Sequence, residues 1–236
     1  PGPGEVEIEV EASGLNFKDV LNALGLYPGD PGPLGAECSG RVLEIGSGVT
    51  HVAPGDAVMA IAGGALASHV VARAELVQRR PVGVSAEEAA TFPIAFLTAS
   101  FCLDHVARLS KGESVLIHAA AGGVGLAAVQ IAQRAGARVV ATAGTPAKRE
   151  LLHDIGVEHV FDSRSASFAD DVLRVTVGRG VDVVLNSLAG DLVEPSFRAI
   201  ADGGRFVEIG KRGIKSEAWV DALSRGIRYD VVDWGE

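Results

Sequence analysis

The stretch SVLIHAAAGGVGLAAVQ, residues 114–130, decides the fold. It begins with an apolar run, 114–118, passes through a turn of small residues, 119–123, and ends in a helix-forming segment from 124 to about 134. A strand, a glycine turn and a helix in this order form the first unit of a dinucleotide-binding fold. Small residues let the backbone approach a pyrophosphate, and the helix N-terminus presents N–H groups to it. Ala120, Gly122 and Gly125 occupy the three glycine positions, so the fingerprint is imperfect.

The pattern after this stretch alternates between strands and helices. It predicts strands at 114–118, 138–142, 159–161, 181–185, 205–208 and 228–232, and helices at 124–134, 146–155, 168–177, 192–200 and 217–224. Continuous apolar strands such as VDVVLN, 181–186, are typical of a parallel sheet that is covered on both faces. The second part of the chain is therefore predicted to be a doubly wound α/β domain of the Rossmann type.

The first 80 or so residues show short strands and turns instead of a regular alternation of strands and helices. Strict alternation in EVEIEV, 5–10, predicts a half-exposed strand, and 34–45 is predicted to be a pair of strands entered through glycine turns. Further short strands are expected at 57–61, 69–72 and 76–78, with one helix at 16–24, so this part is closer to a barrel. Helices at 85–90 and 97–106, with a break at Pro93, link the two parts.

Composition narrows the possible functions. The net charge of −9 disfavours non-specific nucleic-acid binding. No apolar run is long enough to span a bilayer, so no membrane partner is expected. The two cysteines, Cys38 and Cys102, fit no disulfide or metal spacing, which suits a reducing, cytoplasmic location. Because the chain begins Pro-Gly-Pro-Gly and Met59 is its only methionine, we expect it to be a piece of a larger protein.

Six segments carry a resemblance to a known family. They are GLNFKDVLNALGLYPG (14–29), GAECSGRV (35–42), FLTASFCL (96–103), SVLIHAAAGGVGLAAVQIA (114–132), GRGVDVVLNSLAG (178–190) and GGRFVEIGKR (203–212). Together they resemble the enoylreductase domain of a modular polyketide synthase, in the medium-chain dehydrogenase/reductase superfamily. LNSLAG and the final GKR are the segments most specific to that branch.

The resemblance implies a GroES-like β-barrel domain that binds substrate, residues 1–92, followed by a Rossmann NADPH-binding domain, residues 93–236. In the superfamily a C-terminal segment returns to complete the barrel domain; we expect this sequence to lack that segment, so that the first domain is incomplete. The implied activity is NADPH-dependent reduction of the 2,3 double bond of a 2-enoyl thioester. The implied partners are an acyl carrier protein that bears the thioester and neighbouring domains such as a ketoreductase.

The second strand of the nucleotide domain favours NADPH over NADH. An NAD-preferring fold carries an acid at the end of this strand for the ribose 2′-OH, but here Ala143, Gly144 and Thr145 follow, with Lys148 next. Lys148 and Arg149 could also be the solvated face of a helix, although that alternative does not restore the acid. The predicted cofactor-binding residues are Asn16, Ala121, Gly122, Gly123, Val124, Gly125, Thr142, Gly144, Thr145, Lys148, Asn186 and Ser187.

No metal is predicted. The Gly-His-Glu of zinc-dependent relatives becomes Gly35-Ala36-Glu37, and their cysteine-bearing turn becomes Leu15-Asn16-Phe17. A structural zinc site would need closely spaced cysteines, which this sequence does not contain.

Three residues are candidates for the proton that must reach the α-carbon after hydride addition. The resemblance places Tyr27 at a tyrosine associated with the configuration of an α-methyl branch, which implies the 2S product; packing alone is the alternative for Tyr27. Lys211 and Asp233 follow the fifth and sixth strands at the carboxyl edge of the sheet, where the family carries a proposed proton-donating pair. A structural ion pair is the alternative for these two. His118 is expected to pack under the glycine turn.

Two other functions stay open. One is a free-standing, zinc-independent enzyme similar to quinone oxidoreductases, which would share the fold and the cofactor without a carrier protein. The other is a non-catalytic structural domain of a megasynthase, against which the intact glycines Gly122, Gly123 and Gly125 argue.

Overall fold

The computed structural model describes residues 1–233, and the chain forms two compact units, Pro1–Leu97 and Thr98–Glu236. The boundary predicted from the sequence, between residues 92 and 93, lies five residues before this division.

The first unit is built on one antiparallel sheet of five strands. The strands are β1 (Glu5–Gly14), β2 (Glu37–Ile45), β3 (Ala57–Ile61), β4 (His69–Arg73) and β5 (Val77–Arg79), in the order β4-β1-β2-β3-β5. The alternation in EVEIEV buries Val6 and Ile8 completely, and these side chains join a core that includes Cys38, Val42 and Val58. One helix, α1 (Phe17–Ala23), follows β1.

The prediction of a strand pair at 34–45 is wrong, because these residues contribute the single strand β2. Gly40 lies inside this strand, opposite Val10 of β1 and Val58 of β3, and is not part of a turn. A Cβ atom at Gly40 would lie 2.0 Å from the Glu9 carbonyl oxygen. The glycine therefore permits a close approach of two backbones next to a register shift in β1.

Helical segments follow the first sheet. Ser85 caps α2 (Ala86–Ala89) through a capping box with Glu88. The next helix, α3 (Pro93–Ser100), begins at Pro93 and not at 97 as predicted, because proline is well suited to the first turn of a helix. A π-helical segment, Phe101–Val106, follows it directly. The stretch Ala86–Val106 is long and apolar enough to span a membrane by length and composition alone. The expectation that no apolar run is long enough for a membrane span is therefore wrong for this stretch, in which Ala99, Cys102 and Leu103 are fully buried.

The second unit is a six-stranded parallel sheet with helical connections. The strands are β6 (Ser114–Ile117), β7 (Arg138–Ala143), β8 (His159–Asp162), β9 (Val181–Asn186), β10 (Ile200–Glu208) and β11 (Arg228–Val231). The helices are α4 (Gly123–Arg134), α5 (Pro146–Asp154), α6 (Phe168–Val175), α7 (Val193–Ala199) and α8 (Glu217–Ala222), and a 3-10 turn, Gly190–Leu192, precedes α7. All six strands agree with the predicted ones, apart from their ends.

The strand order of this sheet is β11-β10-β9-β6-β7-β8, and every pair is parallel. The chain moves outward from β6 in one direction and returns to β9 on its other side, so the order reverses between β6 and β9. In an open α/β sheet, ligands bind at such a switch point, outside the carboxyl ends of the strands. The predicted α/β class and its doubly wound sheet are therefore confirmed.

Aromatic packing and one arginine hold the second unit together. The rings of Phe197 and Phe206 stack with centroids 4.1 Å apart, and Trp219 and Tyr229 pack around them. Arg205 of β10 donates two hydrogen bonds to the Glu113 carboxylate, at 2.9 and 2.7 Å, and one to the Ala107 carbonyl. This arginine ties the end of the π-helical segment to the amino end of the sheet.

Candidate active site

The glycine turn lies at the carboxyl end of β6, beside the switch point. Gly122 caps α4, and the first helical hydrogen bond runs from Leu126 N to Gly122 O, so the N–H groups of residues 123–125 precede it. Gly122 and Gly123 are exposed, whereas Gly125 is buried. A Cβ atom at Gly125 would lie 2.5 Å from the Ala119 carbonyl oxygen, so only glycine lets α4 start this close to β6. Three amide donors at the N-terminus of a 12-residue helix fit a pyrophosphate.

His118 supports this turn from below. Its Nδ1 lies 2.9 Å from Thr142 Oγ1 and its Nε2 lies 3.0 Å from Ser196 Oγ, which itself donates to the Leu192 carbonyl. With the Ser196 proton used in this way, Nε2 must donate and Nδ1 must accept from Thr142. Burial lowers the pKa of His118 to about 3, so the ring is neutral and acts as structural support rather than as a base.

Thr142 is one of the predicted cofactor-binding residues, and the structure places its side chain behind the turn. The Thr142 side chain is fully buried and contacts His118. The backbone carbonyl oxygen of Thr142 accepts a 3.0 Å hydrogen bond from Ala120 N. Ala121 and Val124 are half-buried within the same turn. Thr142 thus fixes the path of the backbone between β6 and the glycines.

The carboxyl end of β7 leads into the region expected to hold the 2′-phosphate. Thr145 caps α5, with its hydroxyl oxygen accepting from Lys148 N at 3.3 Å, and the Lys148 side chain is exposed. Arg149 donates to the Ala143 carbonyl at 3.0 Å and lies 3.6 Å from Asp162, so its charge is partly neutralised inside the fold.

Arg164 is a further cation at this edge, absent from the residues predicted from the sequence. A Cβ atom at Gly144 would lie 3.0 Å from Arg164 Nε and 3.6 Å from Cζ, so the guanidinium lies over the end of β7. Its backbone N–H is held by Asp162 at 2.9 Å, which fixes the loop after β8. The signal was available in the sequence: β8 neighbours β7, and an arginine directly after it reaches the same sheet edge.

The carboxyl ends of β9 and β10 form a buried polar cluster. The Asn186 amide donates to Glu208 Oε2 at 2.6 Å and to the Leu188 carbonyl at 3.0 Å, and its oxygen accepts from Leu188 N. Glu208 Oε1 accepts from Gly210 N at 2.7 Å. The Asn186 side chain is therefore fully engaged within the protein, and its role is to shape the loop that carries Ser187.

Ser187 offers an uncommitted polar group at this edge. Its hydroxyl oxygen is buried and has no hydrogen-bond partner within residues 1–233. A buried hydroxyl without a partner costs free energy, which a ligand with a matching polar group would recover. The atom fits the carboxamide end of a nicotinamide.

Lys211 and Asp233 are brought together, as predicted from their places after the fifth and sixth strands. The Lys211 ammonium forms an ion pair with the Asp233 carboxylate, and both side chains are partly exposed, at 25% and 39%. Gly210, immediately before Lys211, is the residue held by Glu208. The ion pair thus lies at the same carboxyl edge as Asn186 and Ser187.

The other predicted site residues, Asn16 and Tyr27, lie in the first unit. The Asn16 amide donates to Glu37 Oε1 at 2.8 Å, and Ile94 N donates to Glu37 Oε2 at 2.8 Å. Buried Asp19 accepts from Asn16 N at 2.9 Å and from Gly35 N at 2.8 Å. Burial raises the pKa of Glu37 above its usual range, and its two hydrogen bonds oppose that shift. The function of Glu37 as the acceptor that holds Asn16 was not predicted from the sequence.

Tyr27 follows α1 in the proline- and glycine-rich loop. Its ring is half-buried, and the Lys18 ammonium lies 5.4 Å from the ring centroid. This cation–π contact holds the ring against the helix.

Glu37 occupies the last position of the motif that belongs to the zinc site in zinc-dependent relatives, and Cys38 follows it. Both oxygens of Glu37 accept hydrogen bonds, and Cys38 is completely buried, with a pKa that burial raises to about 11. Within residues 1–233, no group of three or more His, Cys, Asp or Glu side chains is arranged to hold a metal ion.

Two family models match the chain. Residues 2–86 match the alcohol dehydrogenase GroES-like domain, and residues 123–227 match the zinc-binding dehydrogenase model. An antiparallel N-terminal unit followed by a nucleotide-binding sheet with a glycine turn at its switch point defines a medium-chain dehydrogenase/reductase.

Individual relatives indicate which branch of this superfamily the chain resembles. The chain is 49% identical to a phenolphthiocerol/phthiocerol polyketide synthase from Mycobacterium tuberculosis, over 99% of this chain and 11% of that protein. Among solved structures, the CurK enoyl reductase matches with a TM-score of 0.94 and 44% identity, over 99% of this chain and 74% of that one. The NADPH complex of Escherichia coli quinone oxidoreductase matches with a TM-score of 0.89 and 30% identity, over 99% of this chain and 74% of that chain.

The chain belongs to the enoyl reductases of polyketide synthases, within the medium-chain dehydrogenase/reductase superfamily. The predicted class, an NADPH-dependent oxidoreductase, is confirmed at this level. The chain spans only about a ninth of the mycobacterial polyketide synthase that it matches.

Proposed function

We propose that the chain reduces the 2,3 double bond of a 2-enoyl thioester carried by an acyl carrier protein, with NADPH as reductant. The observation that carries this proposal is the Lys211–Asp233 ion pair, which lies at the same sheet edge as the Ser187 hydroxyl, a group with no hydrogen-bond partner among residues 1–233. A reductase of this kind needs a held nicotinamide and a proton donor close together. Residues 1–92 would bind the substrate and residues 93–236 the cofactor.

The cofactor would be held along the carboxyl edge of the second unit. The amides of Gly123, Val124 and Gly125 would bind the pyrophosphate, and Lys148 and Arg164 would face the 2′-phosphate. Ser187 would bind the carboxamide of the nicotinamide, on a loop shaped by Asn186. Bound NADPH supplies a hydride to the β-carbon of the substrate.

The protein would then supply the proton. Hydride addition to the β-carbon moves charge onto the thioester oxygen as an enolate, and the α-carbon must gain one proton. Lys211 carries such a proton on Nζ, and the Asp233 carboxylate holds that ammonium in place and balances its charge before transfer. The Tyr27 phenol is the second candidate donor and would determine the face of an α-methyl branch.

The proposed partners are the acyl carrier protein and neighbouring domains of a cytoplasmic synthase, such as a ketoreductase. Their support is that the similar mycobacterial polyketide synthase is far longer than this chain. The test is to load a carrier protein with a 2-enoyl thioester and add this domain with NADPH. Mass spectrometry should show an acyl group that has gained two hydrogens; an unchanged acyl group would contradict the proposal.

Quinone reduction is a second candidate, favoured by the likeness to the E. coli quinone oxidoreductase. It would use the same cofactor site but would need no carrier protein. A structural domain without catalysis is a third candidate, and the glycine turn and free amide groups at the start of α4 argue against it. A titration that showed no NADPH binding by the folded protein would favour the structural function.

A further inference from the structure

Glu208 is a buried carboxylate that the proposed mechanism does not yet use. It ends β10, is 0% exposed, and lies in register with Asn186 of β9 and Val231 of β11. An acid that is fully buried at the end of a strand is costly to desolvate unless its oxygens are hydrogen-bonded. Both of its oxygens accept short hydrogen bonds, from Asn186 and from Gly210.

These bonds connect three loops at the carboxyl edge. The carboxylate holds Asn186, the residue before Ser187, and Gly210, the residue before Lys211. The backbone carbonyl of Glu208 accepts a 2.8 Å hydrogen bond from Val232 N, and Val232 precedes Asp233. Each group of the proposed nicotinamide site is therefore one residue away from a hydrogen bond to Glu208.

The shape of the turn after β10 depends on this carboxylate. A Cβ atom at Gly210 would lie 2.7 Å from Glu208 Oε1, so glycine is required for the turn to close on the acid. Ile209 N also donates to the Asn186 carbonyl at 2.9 Å, which extends the pairing of β9 and β10 by one residue. The direction in which Lys211 leaves the sheet is thus fixed by residues that touch Glu208.

We propose that Glu208 is a positioning residue for the reduction, and that its carboxylate sets the placement of Ser187 relative to Lys211, while its backbone carbonyl holds the strand that leads to Asp233. This inference rests on the proposed function, since it concerns the same site. Both donors to Glu208 are N–H groups, so two acceptor oxygens are needed and a side-chain amide cannot replace them.

Burial raises the pKa of Glu208 to about 7, with the two hydrogen bonds opposing that shift. Tyr229 on β11 interacts electrostatically with Glu208. The other titratable groups on the adjoining elements are Arg228 and Asp230 on β11, Asp182 on β9, Asp202 and Arg205 on β10, and Lys211 and Asp233 in the loops. Because the ionised form is the better double acceptor, positioning should improve as the pH rises through about 7. If ionisation of Glu208 causes kcat to rise with pH, that rise must disappear when Glu208 is replaced.

The experiment compares Glu208→Gln with Glu113→Gln, a carboxylate of the same unit that pairs with Arg205 at the amino end of the sheet. In Glu208→Gln, the new NH₂ group faces an N–H donor, so we expect kcat to fall about tenfold to 10²-fold, with the Kd of NADPH changed by less than about threefold. Glu113→Gln should keep kcat within about twofold and should retain the rise of kcat with pH.

A second replacement separates positioning from loss of stability. In the single variant Asn186→Asp, the new carboxylate would face the Glu208 carboxylate and repel it. In the double variant Asn186→Asp/Glu208→Gln, the glutamine amide introduced on β10 can donate to the aspartate introduced on β9. We expect the double variant to be more active than either single variant, at least about threefold above Glu208→Gln, by a double-mutant cycle. Additive losses, or a kcat of Glu208→Gln within about twofold of wild type, would overturn the inference.

The wild type is assayed first, with both an enoyl-pantetheine and a quinone, so that failure of the proposed function is recognised separately. If only the quinone is turned over, the proposed function fails, and the same variants still test Glu208 on the quinone. If neither is turned over, the fluorescence of bound NADPH reports the surroundings of the nicotinamide. That emission should change in Glu208→Gln and not in Glu113→Gln; identical emission in both would overturn the inference.

Discussion

The Asn16 side-chain amide donates a 2.8 Å hydrogen bond to the Glu37 carboxylate, whose other oxygen accepts from Ile94 N. In zinc-dependent members of the superfamily, the Gly-His-Glu motif at this point of the sequence belongs to a metal site. Here the acid is buried at 3% exposure and both of its oxygens are occupied by N–H donors. Glu37 therefore joins the end of β1, the strand β2 and the start of α3.

Replacing Glu37 by glutamine should destabilise the first unit. One of the two donors would then face an NH₂ group, which costs about 1–2 kcal/mol of unfolding free energy at neutral pH. Urea denaturation measures this change, and Glu44→Gln, an exposed acid on the same strand, should shift the midpoint little. Equal midpoints for the two variants would show that the bonds to Asn16 and Ile94 contribute nothing.

Placing a carboxylate at the glycine turn should abolish cofactor binding. In Gly123→Asp, the new charge would lie at the first helical position of α4, beside the bound phosphates. We expect the Kd of NADPH to rise by at least about 10²-fold in a fluorescence titration. Ser167→Asp, which adds an acid at the N-terminus of α6, is the control. Unchanged affinity in Gly123→Asp would refute the placement of the pyrophosphate.

Arg164 should contribute to the preference for NADPH over NADH. Loss of a charge-assisted contact with the 2′-phosphate is worth about 1.5 kcal/mol, so Arg164→Ala should weaken NADPH binding roughly tenfold. Binding of NADH, which lacks that phosphate, should stay within about twofold. Arg174→Ala removes an arginine of α6 as a control. Parallel losses for both cofactors would place Arg164 outside the 2′-phosphate site.

Acid should destabilise the second unit through His118. Its pKa is about 3 in the folded protein against 6.5 ordinarily, because burial disfavours the charged ring. Between these values the unfolded chain binds more protons than the folded one, so stability falls as the pH drops from 6.5 toward 3. The slope that His118 contributes should be up to about 1.4 kcal/mol per pH unit and should be absent in His118→Gln. Denaturation at about pH 5 and about pH 7 measures it, with His153→Gln as the control. Identical slopes for wild type and His118→Gln would contradict this explanation.

Tyr27 should influence the stereochemistry of the product more than the rate. Tyr27→Val removes the phenol while keeping an apolar side chain, so a 2-methyl-2-enoyl thioester should yield an altered ratio of 2S to 2R product. Chiral analysis of the released acid gives that ratio. Phe17→Val, a change at an exposed ring on α1, is the control. A product of unaltered configuration would remove Tyr27 from the proton path.

The second unit could be predicted well because its strands and helices carry strong periodic signals. The strands β6, β7 and β9 end within one residue of their predicted limits, since each is a largely apolar run that begins or ends at polar residues or glycine. The first unit was less predictable at Gly40, because a glycine that permits close backbone approach has the same sequence pattern as one in a turn. The start of α3 at Pro93 could not be told from a break, because proline is typical of both.

Candidate site residues could be placed at the sheet edge where they follow a strand, and were missed where their contacts depend on a distant partner. Lys211 could be placed because the carboxyl ends of parallel strands share one edge, whereas Asp233, its ion-pair partner, was found only through the family resemblance. Glu208 and Arg164 were missed, although an acid within the apolar strand FVEIG and an arginine after β8 were visible. Their importance depends on contacts with Asn186, Gly210 and Gly144, and sequence spacing does not reveal such contacts.

The most direct test of the central claim is NADPH oxidation with a 2-methyl-2-enoyl-pantetheine thioester, run beside a simple quinone. Absorbance at the nicotinamide band follows both reactions with the same protein sample. We predict turnover of the thioester and little turnover of the quinone. Turnover of the quinone alone would contradict the proposed enoyl-thioester reduction, while keeping the fold and the NADPH site.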